Sequence, residues 1–398
     1  MRLTNLPIHL PDETLYSLAA RIRLLNGIRN DRDACSVMFG SDDGMRVGDA
    51  PVDLDRFCNV TGFHYGNALD VARLTTVFGF LNRLGYLNSL ELNECGSLGR
   101  SDMCHAGLAS LSNGEAHKWR WCPVCRSNEL REYGAAYWHR VHQLQGVHVC
   151  TIHFRQLQEV VIPHRARQGH FFLPDNVLGS GKPTEAKCSE KAFNAQARLA
   201  NLAAAALGDD TLSFDSRIFV ETLLRALYER GLVSRSGNIR RELFCTEFRG
   251  YFYDLIGTDG YGGWLTDFAL LRLARNVSDP GAQLDAAQRL MLIEWLWGSW
   301  ALFRRQIEWQ GIISYSEFRD RNMYEPQEEN LKNARKSIRD QHRQACANYL
   351  ALNPEASRTD FWNTNPKACR WLLSNDKAWL NNKLPLMCYP KRCQRELF

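Results

Sequence analysis

Arg120-Trp121-Cys122-Pro123-Val124-Cys125, followed by Cys150-Thr151-Ile152-His153, is the stretch that decides how this 398-residue chain is organised. Cys122 and Cys125 stand three positions apart, so both thiolates can face one ion while the turn between them offers N–H groups to the sulfurs. Cys150 and His153 repeat that spacing, and the whole reads C-x2-C-x24-C-x2-H. Two knuckles of this kind satisfy a tetrahedral Cys3His zinc site. Such a zinc is structural: four protein ligands leave no position for water, so no hydrolytic role follows. A rival set exists. Cys122, Cys125, His139 and His142 give C-x2-C-x13-H-x2-H, close to a two-Cys two-His finger, which prefers about three to five residues between its histidines. The matching second knuckle favours Cys150 and His153. The bland alternative is a set of ordinary buried thiols.

Working outward, the other cysteines carry less. Cys35, Cys58, Cys188, Cys245, Cys346 and Cys369 are isolated and read as core residues, and Cys388 and Cys393 have no histidine beside them. Cys95, Cys104 and His105 lack a fourth partner for a second site. The opening Met1-Arg2-Leu3-Thr4-Asn5-Leu6-Pro7 has no apolar signal region. The most apolar run, Leu290 to Phe303, is interrupted by Glu294 and is shorter than the roughly 20 residues a bilayer needs. A cytoplasmic protein with no membrane partner is expected, its thirteen cysteines reduced. Hydrophobic residues make up 45% and charged residues 23%, which favours packed cores over disorder. The net charge of +5 is uneven: residues 321–398 hold 14 Lys/Arg against 8 Asp/Glu. A basic C-terminal segment suits a nucleic-acid contact or a solvated face.

Periodicity gives a mainly α fold in four parts. An N-terminal helix-turn-helix-like domain (1–105) opens with a helix whose apolar positions are Leu15, Leu18, Ala19, Ile22 and Leu25, with Asp12 as its N-cap candidate and Gly27 closing it. A small Cys3His zinc-finger module spans 106–175, with linkers at 96–118 and 174–187. A helical domain (176–320) follows, with segments 190–207, 216–230, 238–253, 264–274 and 284–309. A basic C-terminal domain (321–398) starts with a long helix from Glu328 to Leu352. A Ser357-capped short helix and a helix at 366–373 then make a second helix-turn-helix-like unit.

Catalytic fingerprints are lacking, and no enzyme is expected. Gly179-Ser180-Gly181-Lys182 resembles a P-loop faintly, but Asn176 stands where the first glycine belongs and Pro183 where Ser/Thr must hold Mg²⁺. No G-x-S-x-G, H-E-x-x-H or G-x-G-x-x-G occurs. On the long helix, Lys332, Arg335, Lys336, Arg339 and Arg343 recur every three or four residues along one stripe. With Arg358 they are the candidates for contact with phosphates or with an acidic partner. Trp295, Trp297, Trp300, Phe303 and Trp309 read as core packing.

These residues resemble the TniQ/TnsD family of transposon target-selection proteins. The likeness lies in Pro11-Asp12-Glu13-Thr14-Leu15-Tyr16-Ser17-Leu18-Ala19-Ala20-Arg21 and in the zinc block with Tyr137-Trp138-His139-Arg140, Gln143-Leu144-Gln145-Gly146-Val147 and Val149-Cys150-Thr151-Ile152-His153. It continues in Asn238-Ile239-Arg240-Arg241-Glu242-Leu243, Pro354-Glu355-Ala356-Ser357-Arg358-Thr359 and the block Trp371–Leu380. Within that pattern Cys122, Cys125, Cys150 and His153 hold the ligand positions, whereas His139 and His142 fall at non-ligand ones. The chain departs from many relatives in having only Cys188 where a second finger would stand, so one structural Zn²⁺ is expected. The resemblance implies an adaptor without transposase chemistry, which recognises a target and recruits an AAA+ ATPase transposition regulator. Short members associate with a CRISPR Cascade complex and its guide RNA, often as homodimers, leaving sequence reading to base pairing. The chain's length favours that version. Its TnsD-like C-terminal block favours the other, in which the protein reads DNA directly. A zinc-finger transcription regulator and a metal-dependent nuclease are the readings outside the family.

Overall fold

The computed structural model describes residues 2–41, 53–86, 118–161, 171–177, 188–210, 214–234, 237–258, 260–282, 284–310, 328–354 and 356–384. The chain forms two compact units: Met1–Tyr228 with Phe248–Met323, and Glu229–Glu247 with Tyr324–Phe398.

The first unit opens with α1 (Leu15–Leu25), whose Leu15, Leu18, Ala19 and Ile22 are buried. Its N-cap is Thr14, whose hydroxyl accepts from the Ser17 N–H, and not Asp12. Asp12 sits two residues too early, in the left-handed region at φ 58°, and its carboxylate is engaged elsewhere. Gly27, at φ +61°, follows the Asn26 C-cap. Four short helices come next: α2 (Asp31–Phe39), α3 (Leu54–Val60), α4 (Ala68–Thr75) and α5 (Phe78–Arg83). Each of the first three is started by a side-chain cap from Asn30, Asp53 or Asn67, satisfying N–H groups that a short helix cannot pair internally. Phe39 of α2 stacks on Phe57 of α3 at 5.5 Å, and both are buried.

The metal-binding module interrupts the helices with a two-stranded antiparallel sheet of β1 (Lys118–Trp121) and β2 (Gln158–Val161), in register Trp119↔Val160. Between the strands lie α6 (Pro123–Tyr133) and the single turn α7 (Arg140–Gln143). A further turn, α8 (Pro174–Val177), occupies the start of a segment whose proline and glycines suggested a linker. The remainder of that segment, including Gly179 to Lys182, lies outside the described residues.

The helical part continues with α9 (Glu190–Leu207) and α10 (Ser216–Glu229). The next helix, α11 (Arg241–Tyr251), begins later than its periodicity suggested, because Ile239 is taken up by a bridge with Val233. Beyond it come α12 (Asp267–Asn276), α13 (Ala286–Trp297) and α14 (Trp300–Gln310). The run 284–309 is therefore two helices. Gly298 caps the first in the left-handed conformation, at φ +68°. Gly298→Ala puts a Cβ into open space but strains the backbone. A loss of about 1 kcal/mol is expected, readable as a lower chemical-denaturation midpoint. Trp295, Trp300 and Phe303 are buried, as core packing requires. Arg289 of α13 fixes this layer to the N-terminal helices. Its guanidinium donates to the Leu84 carbonyl at 2.5 Å and to Ser216 Oγ at 2.6 Å, and lies over the rings of Tyr86 and Phe219.

The second unit contains α15 (Glu328–Leu352), α16 (Arg358–Thr364), α17 (Pro366–Asn375) and α18 (Lys377–Lys383). A capping box between Ser357 and Asp360 starts α16, as its sequence anticipated. Cys346, Phe361, Cys369, Leu372 and Leu380 form its buried core. Among the described residues, no helix is long and apolar enough to cross a membrane.

Candidate metal centre

Cys122 is the N-cap of α6, with Pro123 pre-set for the first helical position. Its sulfur faces the backbone N–H groups of Val124 and Cys125 and the positive end of the helix dipole, both of which favour a thiolate. Cys125 follows in the first turn of the same helix. The other knuckle is a tight turn after β-bridged Val149: the Phe154 N–H donates to the Cys150 carbonyl at 2.9 Å, and the Cys150 N–H to the Arg155 carbonyl at 2.8 Å. The His153 N–H points at Cys150 Sγ, 3.5 Å away.

The four ligand atoms converge. Cys125 Sγ lies 3.7 Å from Cys150 Sγ, and His153 Nδ1 lies 3.7, 3.3 and 3.7 Å from the sulfurs of Cys122, Cys125 and Cys150. Bond lengths of about 2.3 Å to sulfur and 2.0–2.1 Å to nitrogen, at tetrahedral angles, put two sulfurs about 3.8 Å apart and a sulfur and nitrogen about 3.6 Å apart. The observed spacings match. They exclude a disulfide, whose sulfurs would stand about 2.05 Å apart. Without a cation the cluster is electrically frustrated: hydrogen bonds from Cys125 and Cys150 push the Cys122 thiol down, and the same contact with Cys122 pushes the thiols of Cys125 and Cys150 up. A bound cation lets all three ionise. The residues therefore fit a metal ion, and the cluster can hold one. His153 Nε2 faces the Asn128 amide at 3.3 Å, a contact that orients the ring.

A neighbouring trio, Cys125, Glu129 and His139, also converges. It is not built for a second ion: Glu129 Oε1 and His139 Nε2 are 2.6 Å apart, a hydrogen bond, whereas two light-atom ligands of a tetrahedral ion stand about 3.3 Å apart. His142 belongs to neither cluster. It is buried, its ring packs on His139, and neither of its nitrogens meets a partner among the described residues. Burial, then the charge of His139, lowers its pKa to about 3, so it is neutral. The geometry thus assembles the Cys150/His153 set and not the His139/His142 one.

What sequence reasoning missed is the set of contacts that weld the module to α1. Asp12 accepts from the Val141 N–H at 3.0 Å and from Arg140 Nε at 3.1 Å, while the Arg140 N–H donates to the Asp12 carbonyl. Glu129, one turn beyond Cys125 on α6, also accepts from the Tyr137 N–H. His139 lies between Glu129 and Asp12, whose Oδ2 is 3.6 Å from Nδ1. Burial alone would lower the His139 pKa, but the two carboxylates outweigh it and raise it to about 9. The folded value stands above the ordinary one, so the charged imidazolium's contribution is complete below about pH 6.5 and is lost as pH climbs through about 9. Thermal melts at saturating metal should show up to about 3 kcal/mol disappearing across that window. His139→Gln should flatten the profile there, and an unchanged slope would remove His139 as its cause.

In the second unit the basic candidates separate. Arg339 lies 3.7 Å from Asp340 and stays partly exposed. Arg343 pairs with Asp376 at 2.6 Å and lies over Trp379. Arg358 is buried, donating to the Leu384 carbonyl and to Asn381 Oδ1, so it ties α16 to the end of α18. The side chains of Lys332, Arg335 and Lys336 lie outside the described residues, as do Cys95, Cys104, His105, Cys388 and Cys393.

Among known proteins, no curated relative matches the chain. The TniQ family model matches residues 6–157, a span that runs from before α1 through both metal-binding knuckles. The N-terminal helix and the Cys3His cluster, joined through Asp12 and Trp138, lie together inside that span, so the similarity to the TniQ family covers residues 6–157 as one connected domain.

Proposed function

We propose that this protein is a non-enzymatic target-selection adaptor for DNA transposition, bridging a target-recognition complex to an AAA+ ATPase regulator. The TniQ domain over residues 6–157 carries the reading, since it supports a transposition-associated target-selection role. The partner on the target side is a Cascade complex with guide RNA. The metal is one structural Zn²⁺ held by Cys122, Cys125, Cys150 and His153; the donor set and its tetrahedral spacings support this. When bound, the ion supplies neutralising charge and a cross-link, and with four protein ligands it leaves no place for a reacting water. The surrounding residues hold the site: Asn128 orients His153, and Glu129 anchors α6 through His139. A second reading, in which the protein reads DNA directly, is favoured by the basic composition of residues 321–398.

The test is co-purification of the tagged protein from cells expressing its neighbouring genes. Guide RNA together with Cas proteins and the ATPase is the expected result. A defined DNA fragment without guide RNA would replace the first reading by the second. Recovery of neither nucleic acid nor ATPase would overturn both.

A further inference from the structure

The turn that carries Cys150 and His153 ends in an aromatic residue whose side chain faces outward. Phe154 sits at φ 49°, in the left-handed region where a glycine is strain-free and an aromatic residue is strained. Its N–H closes the turn on the Cys150 carbonyl, but the ring takes no part in that: it is 57% exposed and makes no ring contact among the described residues. Ile152, on the other side of His153, is 62% exposed. Two arginines stand by. Arg155 is the next residue and is exposed. Arg131 is placed by a chain of contacts, its guanidinium donating to Asn128, whose amide faces His153. Among the described residues neither arginine has a carboxylate within ion-pair distance, whereas Arg126 on the same helix is paired with Asp175. An outward-facing aromatic ring in a strained backbone conformation thus sits on the turn next to one uncompensated cation, Arg155, with a second, Arg131, linked to the same turn through Asn128 and His153.

We propose that this tip is a binding platform for an unpaired nucleic-acid strand, Phe154 stacking on a base while Arg131 and Arg155 contact flanking phosphates. The proposal goes beyond the adaptor reading and does not depend on it. The size of the feature selects the partner. A stable protein interface needs about 800 Å² from each side, far more than one turn presents. A stacked base with its phosphates needs little more than a ring and two cations, and such stacking is sequence-tolerant. A base inside a duplex has its faces covered, so the platform prefers single strands.

The test is fluorescence anisotropy of the full-length, metal-loaded protein with labelled oligothymidine, the matching duplex and polyglutamate. Oligothymidine should bind more tightly than either competitor. Phe154→Gly should weaken it about tenfold while melting temperature stays level or rises, because the strain is relieved, and metal content is unchanged. Phe154→Trp should restore the binding. Arg131→Ala and Arg155→Ala should each make the salt dependence shallower. Equal affinity of wild type and Phe154→Gly would overturn the proposal. So would a fall in stability that accompanies the loss of binding, since Phe154 would then be holding the turn. Polyglutamate binding with the same dependence on Phe154 would point to an acidic protein segment instead and would equally overturn it.

Discussion

Cys150→Ser should release the metal and unfold the TniQ domain. Structural zinc binding is worth roughly 10–16 kcal/mol in small modules near neutral pH, comparable to or larger than the about 5–15 kcal/mol that holds a whole domain. Serine at position 150 removes one ligand and leaves Cys122 and Cys125 crowded without a full charge partner. The effect spreads because β1 and β2 flank the two knuckles and α1 is bound to the segment between them. Metal analysis and a circular-dichroism melt should show loss of bound zinc and of the cooperative transition. Cys35→Ser, a buried cysteine of α2 outside the cluster, should keep its zinc. Full retention of metal by the Cys150→Ser protein would exclude Cys150 as a ligand.

Trp138→Ala should cost about 3–5 kcal/mol, in the range for emptying a buried aromatic site. The side chain is fully buried and meets Trp119 of β1 edge-on at 4.8 Å. Its indole N–H donates to the Phe172 carbonyl at 2.6 Å, its backbone N–H to Ser17 Oγ at 2.9 Å, and its carbonyl accepts from the Thr14 N–H. The substitution spares those backbone bonds but opens a void between α1 and the sheet. Unlike Cys150→Ser, this variant should bind a full equivalent of zinc when metal is in excess, while its urea midpoint falls sharply. Trp138→Phe should lose about 1–2 kcal/mol, the part owed to the indole hydrogen bond and the smaller ring. A midpoint unmoved by Trp138→Ala would mean that α1 is held without it.

What could be read in the sequence was what is local in the chain. The ligand set was legible because each knuckle is a three-residue spacing, whose geometry is decided within one turn. Helix α9 was legible to the residue, since Ser189 caps it and its alanines and leucines keep one period. Other features were hidden for definable reasons. The run 284–309 is buried along much of α13, so its apolar pattern has no clean face to show where Gly298 breaks it. Helix α18 is short and mostly polar, and gave no periodic signal. Asp12 looked like an N-cap because its role depends on Arg140 and Val141, far along the chain. Charge runs mislead in the same way: a count of arginines does not reveal that Arg358 is used up on a carbonyl at the end of another helix.

The bond between Asp12 and Val141 joins residues 129 positions apart. At synthesis rates of about 5–20 residues per second, α1 leaves the ribosome on the order of ten seconds before its closing partners exist. During that interval α1 has α2 beside it but lacks the cover of Trp119 and Trp138, against which Tyr16 and Ser17 are set, and that exposed face makes the nascent chain a target for chaperones and proteases. If the proposed metal closes this domain, yield in the cell should follow metal supply at the moment of synthesis as well as final stability, and a fragment cut before Trp138 should be degraded rather than persist as a smaller domain.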